Sequence, residues 1–299
     1  MMIKLVKLIV LITLLSVGIN LQAQDMLAVL DSISKETKTK DFVSATFKTT
    51  RLVNMHTIES VGPRTLDFRI SHRFGALNGG SYTAWGIDGP ANIRLSLEYS
   101  FDGRLMFGIG RSSHEKMVDG FLKYRLLRQT TDNKMPVSVT LFASLFYNAL
   151  KDGNASSNGY DKFDPVTNRF SFAYQIMVAK KITPSLSVQL SPWMVHYNLV
   201  EKITDRNDAY GIAGMIRLKF SKRSAITIEY AYRLPNYTKE KYYDSMGIGY
   251  ELETGGHVFQ IHFVNSFGIV ENQFLPHTNT QWNDAGIRLG FNISRVFTL

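Results

Sequence analysis

Residues Ile93 to Arg111 read IRLSLEYSFDGRLMFGIGR. Ile93, Leu95, Leu97 and Tyr99 are apolar, and Arg94, Ser96, Glu98 and Ser100 between them are polar. Alternate side chains of a strand point to opposite faces, so this is one apolar face backed by one charged face. The pattern resumes after Asp102-Gly103 with Leu105, Phe107 and Ile109. A two-residue turn would pair Tyr99 with Met106 and split the apolar set. A three-residue turn of Phe101, Asp102 and Gly103, with Gly103 left-handed, pairs Tyr99 with Leu105, Leu97 with Phe107 and Leu95 with Ile109. It keeps every apolar residue on one side, so it is the expected hairpin. Arg94, Glu98 and Met106 then share the other face, with Gly108 and Gly110 beside the arginine. A soluble sandwich would bury the apolar face; a membrane barrel would turn it to lipid.

The connections decide between the two. Strands are expected near 65–75, 91–101, 104–111, 120–128, 136–147, 169–181, 185–197, 209–220, 224–233, 245–252, 257–264 and 285–297. Their connections alternate between long and short almost throughout, as loops and turns at opposite ends of an outer-membrane barrel do. Gln129 to Met135 is the exception, being long for a periplasmic turn. Three short turns keep the apolar residues on one face: Ile176 and Val178 match Leu186 and Val188, Leu218 and Phe220 match Ile226 and Ile228, and Ile248 and Tyr250 match Phe259 and Ile261. The expected fold is all-β: a transmembrane up-and-down antiparallel β-barrel of about 12 strands, with 14 as the alternative. Residues 61–299 form it.

The amino terminus sets the compartment. Lys4 and Lys7 precede the apolar run Leu8 to Ile19, which is too short to span a bilayer, and Leu21-Gln22-Ala23 precedes Gln24 as a cleavage site. Residues 1–23 therefore read as a signal peptide and the localisation as the cell outer membrane. The 299 residues include 19 Phe and 14 Tyr, which suits aromatic girdles, and no cysteine, which excludes disulfides and thiol chemistry. Removing Lys4 and Lys7 lowers the formal charge from +9 to +7. An exported chain with dispersed basic residues is not read as a nucleic-acid binder. Residues 24–60 read as a periplasmic segment or plug. Within them Phe42 to Ser60 has strand composition without clean alternation, so it either folds inward or adds a hairpin.

The expected lumen carries Asp67, Arg69, Arg73, Arg94, Glu98, Lys123, Arg125, Glu229 and Arg288, together with Arg217, Lys219 and Arg233. The excess of cations suggests selection of a small anionic solute, with Arg69, Arg94, Arg125 and Arg288 on the wall. The competing reading is an interior in which these groups pair with one another and with a plug. Seven scattered histidines show no metal spacing, with His56 near Glu59 the closest approach to one. Each is read as structural, including His72 among Ser71 and Arg73. Ser112, Ser113 and His114 share a loop, but adjacent residues do not form a nucleophile–base pair and no GxSxG occurs. No enzyme activity, metal or cofactor is expected. Gly108-Ile109-Gly110 is not read as a phosphate loop, because no GKS/T follows and no helix opens there. The last strand, GIRLGFNISRVFTL, aligns Ile287, Leu289, Phe291, Ile293 and Phe297 on one face and ends at Leu299. It resembles the terminal strand that barrel-assembly machinery reads, with Leu in place of a terminal Phe.

Four runs together carry a family likeness: TFKTTRLVN (Thr46 to Asn54), SHRFG (Ser71 to Gly75), GIGRSS (Gly108 to Ser113) and DGFLKYRLLRQ (Asp119 to Gln129). The chain resembles an uncharacterised outer-membrane β-barrel family of Bacteroidota, a domain of unknown function. The first run has Thr49 where that pattern leads one to expect glycine. The resemblance implies fold and location and no activity. Passage or binding of a small solute is the leading expectation, with outer-membrane lipid as surroundings. The alternative is a closed structural or adhesive barrel working through its long loops, with Tyr160, Phe163, Tyr237, Tyr242, Tyr243, Phe274 and Trp282 as exposed anchors. The third is a surface hydrolase using Ser113 and His114.

Overall fold

The computed structural model describes residues 41–151, 163–235, 237–239 and 241–299. The expected signal peptide, residues 1–23, and the expected periplasmic segment over residues 24–40 lie outside the described residues. Twelve antiparallel strands close into one barrel in sequence order, with β1 paired to β12. They are β1 Thr65–Ala76, β2 Asn92–Ser100, β3 Leu105–Ser112, β4 Val118–Leu127, β5 Ser138–Tyr147 and β6 Phe170–Lys181. Then come β7 Leu186–Tyr197, β8 Asp208–Lys219, β9 Ser224–Arg233, β10 Ser245–Thr254, β11 His257–Val264 and β12 Arg288–Thr298. Closure leaves no unpaired edge, which a sheet in hydrocarbon requires. Long loops gather at one mouth and short turns at the other, so the first is the outer mouth and the second the periplasmic one.

Alternation places the apolar residues as expected. Leu97 is 44% and Ile109 59% exposed on the outer surface, whereas Arg94 and Glu98 are fully buried inside. The β2–β3 register, however, differs from expectation by two residues. Tyr99 pairs with Phe107, Leu97 with Ile109 and Leu95 with Arg111. The cause is local. Asp102 Oδ1 accepts the N–H groups of Arg104 and Leu105, both at 2.8 Å, and Ser100 Oγ accepts that of Gly103 at 2.9 Å. These bonds hold Phe101 to Arg104 as a longer turn, and a slip of two preserves facing. Gly103 is left-handed (φ 78°) as expected. Gly108 and Gly110 leave space for neighbours: a Cβ on Gly108 would strike the Phe121 ring, and one on Gly110 the Arg94 guanidinium.

No fourteenth strand forms among the described residues. Residues 42–62 run inside the barrel instead. Phe42 bridges Thr130, Val43 N donates to Gln129 O (2.9 Å), and Arg128 lies over the Phe42 ring (4.2 Å). The long periplasmic connection after β4 thus seats the entering chain. The segment then rises to a tight hairpin in which Leu52 N donates to Met55 O and Thr57 N to Thr50 O, each at 2.9 Å. It returns to the periplasmic mouth at Pro63 and continues into β1.

Candidate functional site: a lumen closed from both ends

The hairpin packs one side against an apolar half of the wall. Phe47, Leu52, Met55, Ile58 and Val61 join Met106, Phe121, Phe142, Phe146, Met177, Trp193 and Met215 in one buried cluster. These wall residues alternate with the lipid-facing ones on β3 to β8, so those strands are apolar on both faces. The other half of the wall, β1, β2 and β9 to β12, is polar, and it binds the backbone of the segment together with Lys123 and Arg125 of β4 and Gln189 of β7.

Glu229 on β9 is the clearest example. Its carboxylate accepts three consecutive N–H groups at the hairpin tip: Asn54 at 2.9 Å, Val53 at 3.1 Å and Met55 at 3.1 Å. Three orphan donors of a tight turn thereby meet one anion, a charge-assisted arrangement stronger than neutral pairing. Arg73 on β1 donates to Val53 O (3.0 Å) and Asn54 Oδ1 (2.6 Å), and also to Asn292 Oδ1 (3.2 Å). Lys123 on β4 donates to the carbonyls of Glu59 (2.9 Å), Thr57 (3.0 Å) and Thr50 (3.3 Å). Arg125 binds Glu59 and Ile58 O.

The other expected lumen charges are also engaged. Arg69 donates to Thr50 Oγ1 (2.9 Å) and Asp67 Oδ2 (3.0 Å), and Ser294 donates to Asp67 Oδ1 (2.6 Å). Glu98 accepts from Thr50 Oγ1 (2.6 Å) and lies 4.0 Å from both Arg51 Nε and Arg69 Nε. Arg94 clamps Asp119 through Nε (2.9 Å) and a terminal nitrogen (2.5 Å). Arg217 does the same to Glu251, at 2.9 and 2.7 Å. Arg288 sits at the outer mouth, on Asn265 O and Thr280 Oγ1, both at 2.8 Å. Lys219 and Arg233 lie half-buried as the last residues of β8 and β9, at opposite mouths of the barrel.

The outer mouth is closed by the loop between β11 and β12. Its helical turn Glu271–Phe274 is buried, with Ile269, Val270 and Leu275. Glu271 Oε1 meets the hairpin's Arg51 at 3.2 Å and lies 3.6 Å from His56 Nε2, and Asn54 donates to Ser266 Oγ at 2.8 Å. His56 is packed between the rings of Phe121 and Phe142, at 4.6 and 4.4 Å. Segments from the two ends therefore touch inside the barrel.

Two expected surface anchors are misplaced by the sequence reading. Phe274 is fully buried in the inward loop and Tyr237 is buried at the mouth, because both loops fold over the lumen. Phe163, Tyr242, Tyr243 and Trp282 are half-buried, and Tyr160 lies outside the described residues. Ser113 is engaged with Asn92 and Ile93, His114 packs on Phe267, and outward-facing His72 stacks on Phe291.

Arg51, Glu59, Asp119, Glu251 and Glu271 were missed as lumen charges. Glu271 had a signal: the run GIVENQFLP is too apolar for a solvated loop. With these included, Arg51, Arg69, Arg73, Arg94, Lys123, Arg125, Arg217 and Arg288 face Glu59, Asp67, Glu98, Asp119, Glu229, Glu251 and Glu271. Lys219 and Arg233, at the two mouths, add to the cations, so the cationic excess of the expected site narrows without vanishing.

Comparison with known proteins agrees with this architecture. A family model described as a membrane bound beta barrel domain (DUF5777) matches residues 47–297. No curated protein matches the chain. Among solved structures, the NanC porin is 9% identical, with 78% of this chain and 99% of that one covered and a TM-score of 0.49. An outer membrane channel from Pseudomonas putida F1 is 14% identical, with 80% and 98% covered and a TM-score of 0.45. Outer membrane phospholipase A from Escherichia coli is 12% identical, with 77% and 92% covered and a TM-score of 0.44.

Proposed function

Because the chain belongs to the DUF5777 family of membrane-bound β-barrel domains, with a matched region that begins inside the luminal hairpin, we propose that it is an outer-membrane barrel that stays closed and binds a small solute at its outer mouth. The observation that carries this reading is the contact of Arg51 with Glu271 inside the lumen, where a segment from each end meets the other. The hairpin also inserts five apolar residues into the wall's apolar half. Burial of a large apolar side chain contributes roughly 1.5–3 kcal/mol, so withdrawal of the segment is strongly opposed. Most luminal cations are engaged by carboxylates or by carbonyls of the hairpin, which weakens the argument for an anion-selective pore. Export by the Met1–Ala23 signal, insertion read from the last strand, and a source among the Bacteroidota belong to the same proposal and rest on the sequence.

The refolded full-length protein in a planar bilayer under a salt gradient tests it. The expected result is a silent membrane. A steady current, above all an anion-selective one, overturns the reading.

A second reading is passage after withdrawal of residues 42–62. The polar half of the wall favours it, since β1, β2 and β9 to β12 would line an emptied lumen with groups that water can solvate. Current that appears only on addition of a periplasmic factor would select it.

A further inference from the structure

The outer mouth holds a cup of about 190 Å³. It is walled by loops between β5 and β6, β7 and β8, and β9 and β10, and floored by the inward loop after β11. That volume accommodates on the order of a dozen waters, the room of one small ring and its substituents. None of the expected luminal charges lines it.

One wall is aromatic. The rings of Tyr197, Tyr237 and Tyr242 surround His277 with centroids 5.1, 5.6 and 4.9 Å away. The hydrogen bonds of this group have a fixed direction. Tyr197 donates its hydroxyl proton to Asn272 O, so toward His277 it can only accept. His277 Nδ1 therefore carries the proton given to Tyr197 (3.3 Å), and Nε2 accepts from the Tyr237 hydroxyl (3.2 Å). Every proton of the relay is used, and the wall offers ring faces and hydroxyl lone pairs.

The floor is amide. Asn272 and Gln273, both more than nine-tenths buried, line the cup, and the amide oxygen of each has no hydrogen-bond partner among the described residues. Buried acceptors of this kind call for a donor. The Asn272 amide group itself is held by Ser171 (2.9 Å), and that of Gln273 by Glu115 (2.9 Å), so the oxygens have a set orientation.

The charge is wrong for an anion. Among the described residues, Glu115, Glu201 and Asp205 line the cup against Arg169, with the Arg233 guanidinium behind it, 5.9 Å from the Tyr242 ring. Arg169 already binds the carbonyls of Asn148 (2.9 Å) and Leu150 (2.6 Å) and covers the Phe163 ring at 4.2 Å. A ligand that fits must give protons to amide and carboxylate oxygens and lay C–H groups on an aromatic face, whose negative centre attracts them.

We infer that this cup is a binding site for one uncharged saccharide ring, stacked on Tyr242 and hydrogen-bonded through its hydroxyls to the Asn272 and Gln273 amides. The inference rests on the proposed action at the outer mouth and adds the chemical class of the solute. It fails independently of the closed lumen, since binding and conductance are measured separately.

The test is calorimetric titration of the full-length protein in detergent with D-glucose, D-galactose and N-acetyl-D-glucosamine, and with inorganic phosphate and D-glucuronate as anionic probes. Saturable binding of at least one neutral sugar, and at least tenfold weaker binding of both anions, is expected. Tyr242→Ala should loosen the sugar at least tenfold, whereas Tyr242→Phe, which keeps the ring, should stay within threefold. Heat-modifiable gel mobility shows that each variant is a folded barrel. No binding of any of the three sugars, tighter binding of an anion, or sugar binding indifferent to Tyr242→Ala each overturns the inference.

Discussion

His277 shows how a single residue is set by its surroundings. The ring is enclosed by Tyr197, Tyr237 and Tyr242, with the Arg233 guanidinium and the Asp205 carboxylate nearby. Burial, reinforced by the positive charge of Arg233, lowers its pKa to about 4. In the unfolded chain an imidazole titrates near 6.5, so between these values the unfolded chain binds the extra proton. The contribution of this ring to stability is therefore complete above about pH 6.5, declines as the pH falls toward 4, and is constant below. Proton NMR of the His277 ring should show a midpoint near 4 and a neutral ring from pH 5 to 8. A midpoint between 6 and 7 would mean that the ring stands in water and that the relay is open. This assignment was not legible in the sequence. His277 lies in a loop beside Thr278 and Asn279, and the tyrosines bonded to it come from a loop 40 residues away (Tyr237) and from the end of β7, 80 residues away (Tyr197).

At the scale of the element, the luminal hairpin and the barrel strands were legible to different degrees for one physical reason. A strand between lipid and lumen has two unlike faces, so its period of two is written in the residues, and even the misjudged register of β2 and β3 kept its facing. Both sides of Phe47 to Ile58 are buried, one against Met106 and Phe121 and the other against Arg73 and Glu229, so no alternation is imposed. The hairpin is specified by partners distant in sequence. Glu229 is the partner with the largest expected effect. Glu229→Ala leaves the three N–H groups of Val53, Asn54 and Met55 without their acceptor. At about 1–3 kcal/mol for each orphaned buried donor, the barrel should lose several kcal/mol of stability. Denaturant titration of the refolded variant, followed by heat-modifiable mobility, measures the loss. An unchanged midpoint would show that the tip is not held by this carboxylate.

At the scale of the whole molecule, the wall strands carry a signal that the charge count obscured. In β5, Leu141 and Leu145 face lipid while Phe142 and Phe146 face inward, and in β7 Trp193 and Val195 turn inward beside outward Leu190. A water-filled barrel has no use for inward Phe, Trp and Met on six neighbouring strands, β3 to β8. Apolar residues on both faces mean that something packs inside. Counting cations along the strands missed this: the matching carboxylates Asp119 and Glu251 lie on β4 and β10, and Glu59 and Glu271 lie outside the strands in segments that enter the lumen. The consequence is one cooperative unit, in which the hairpin, the inward loop and the wall open together. Amide hydrogen exchange distinguishes this from a separately mobile plug. The amides of Leu52, Asn54, Met55 and Thr57 should exchange as slowly as those in the middle of β9 and β1, although they belong to no strand. Fast exchange at these four against slow exchange in the wall would describe a segment that leaves while the barrel stays folded. Because the hairpin shares its apolar cluster with β3 to β8 and its hydrogen bonds with β1 and β9, slow exchange is the expected outcome.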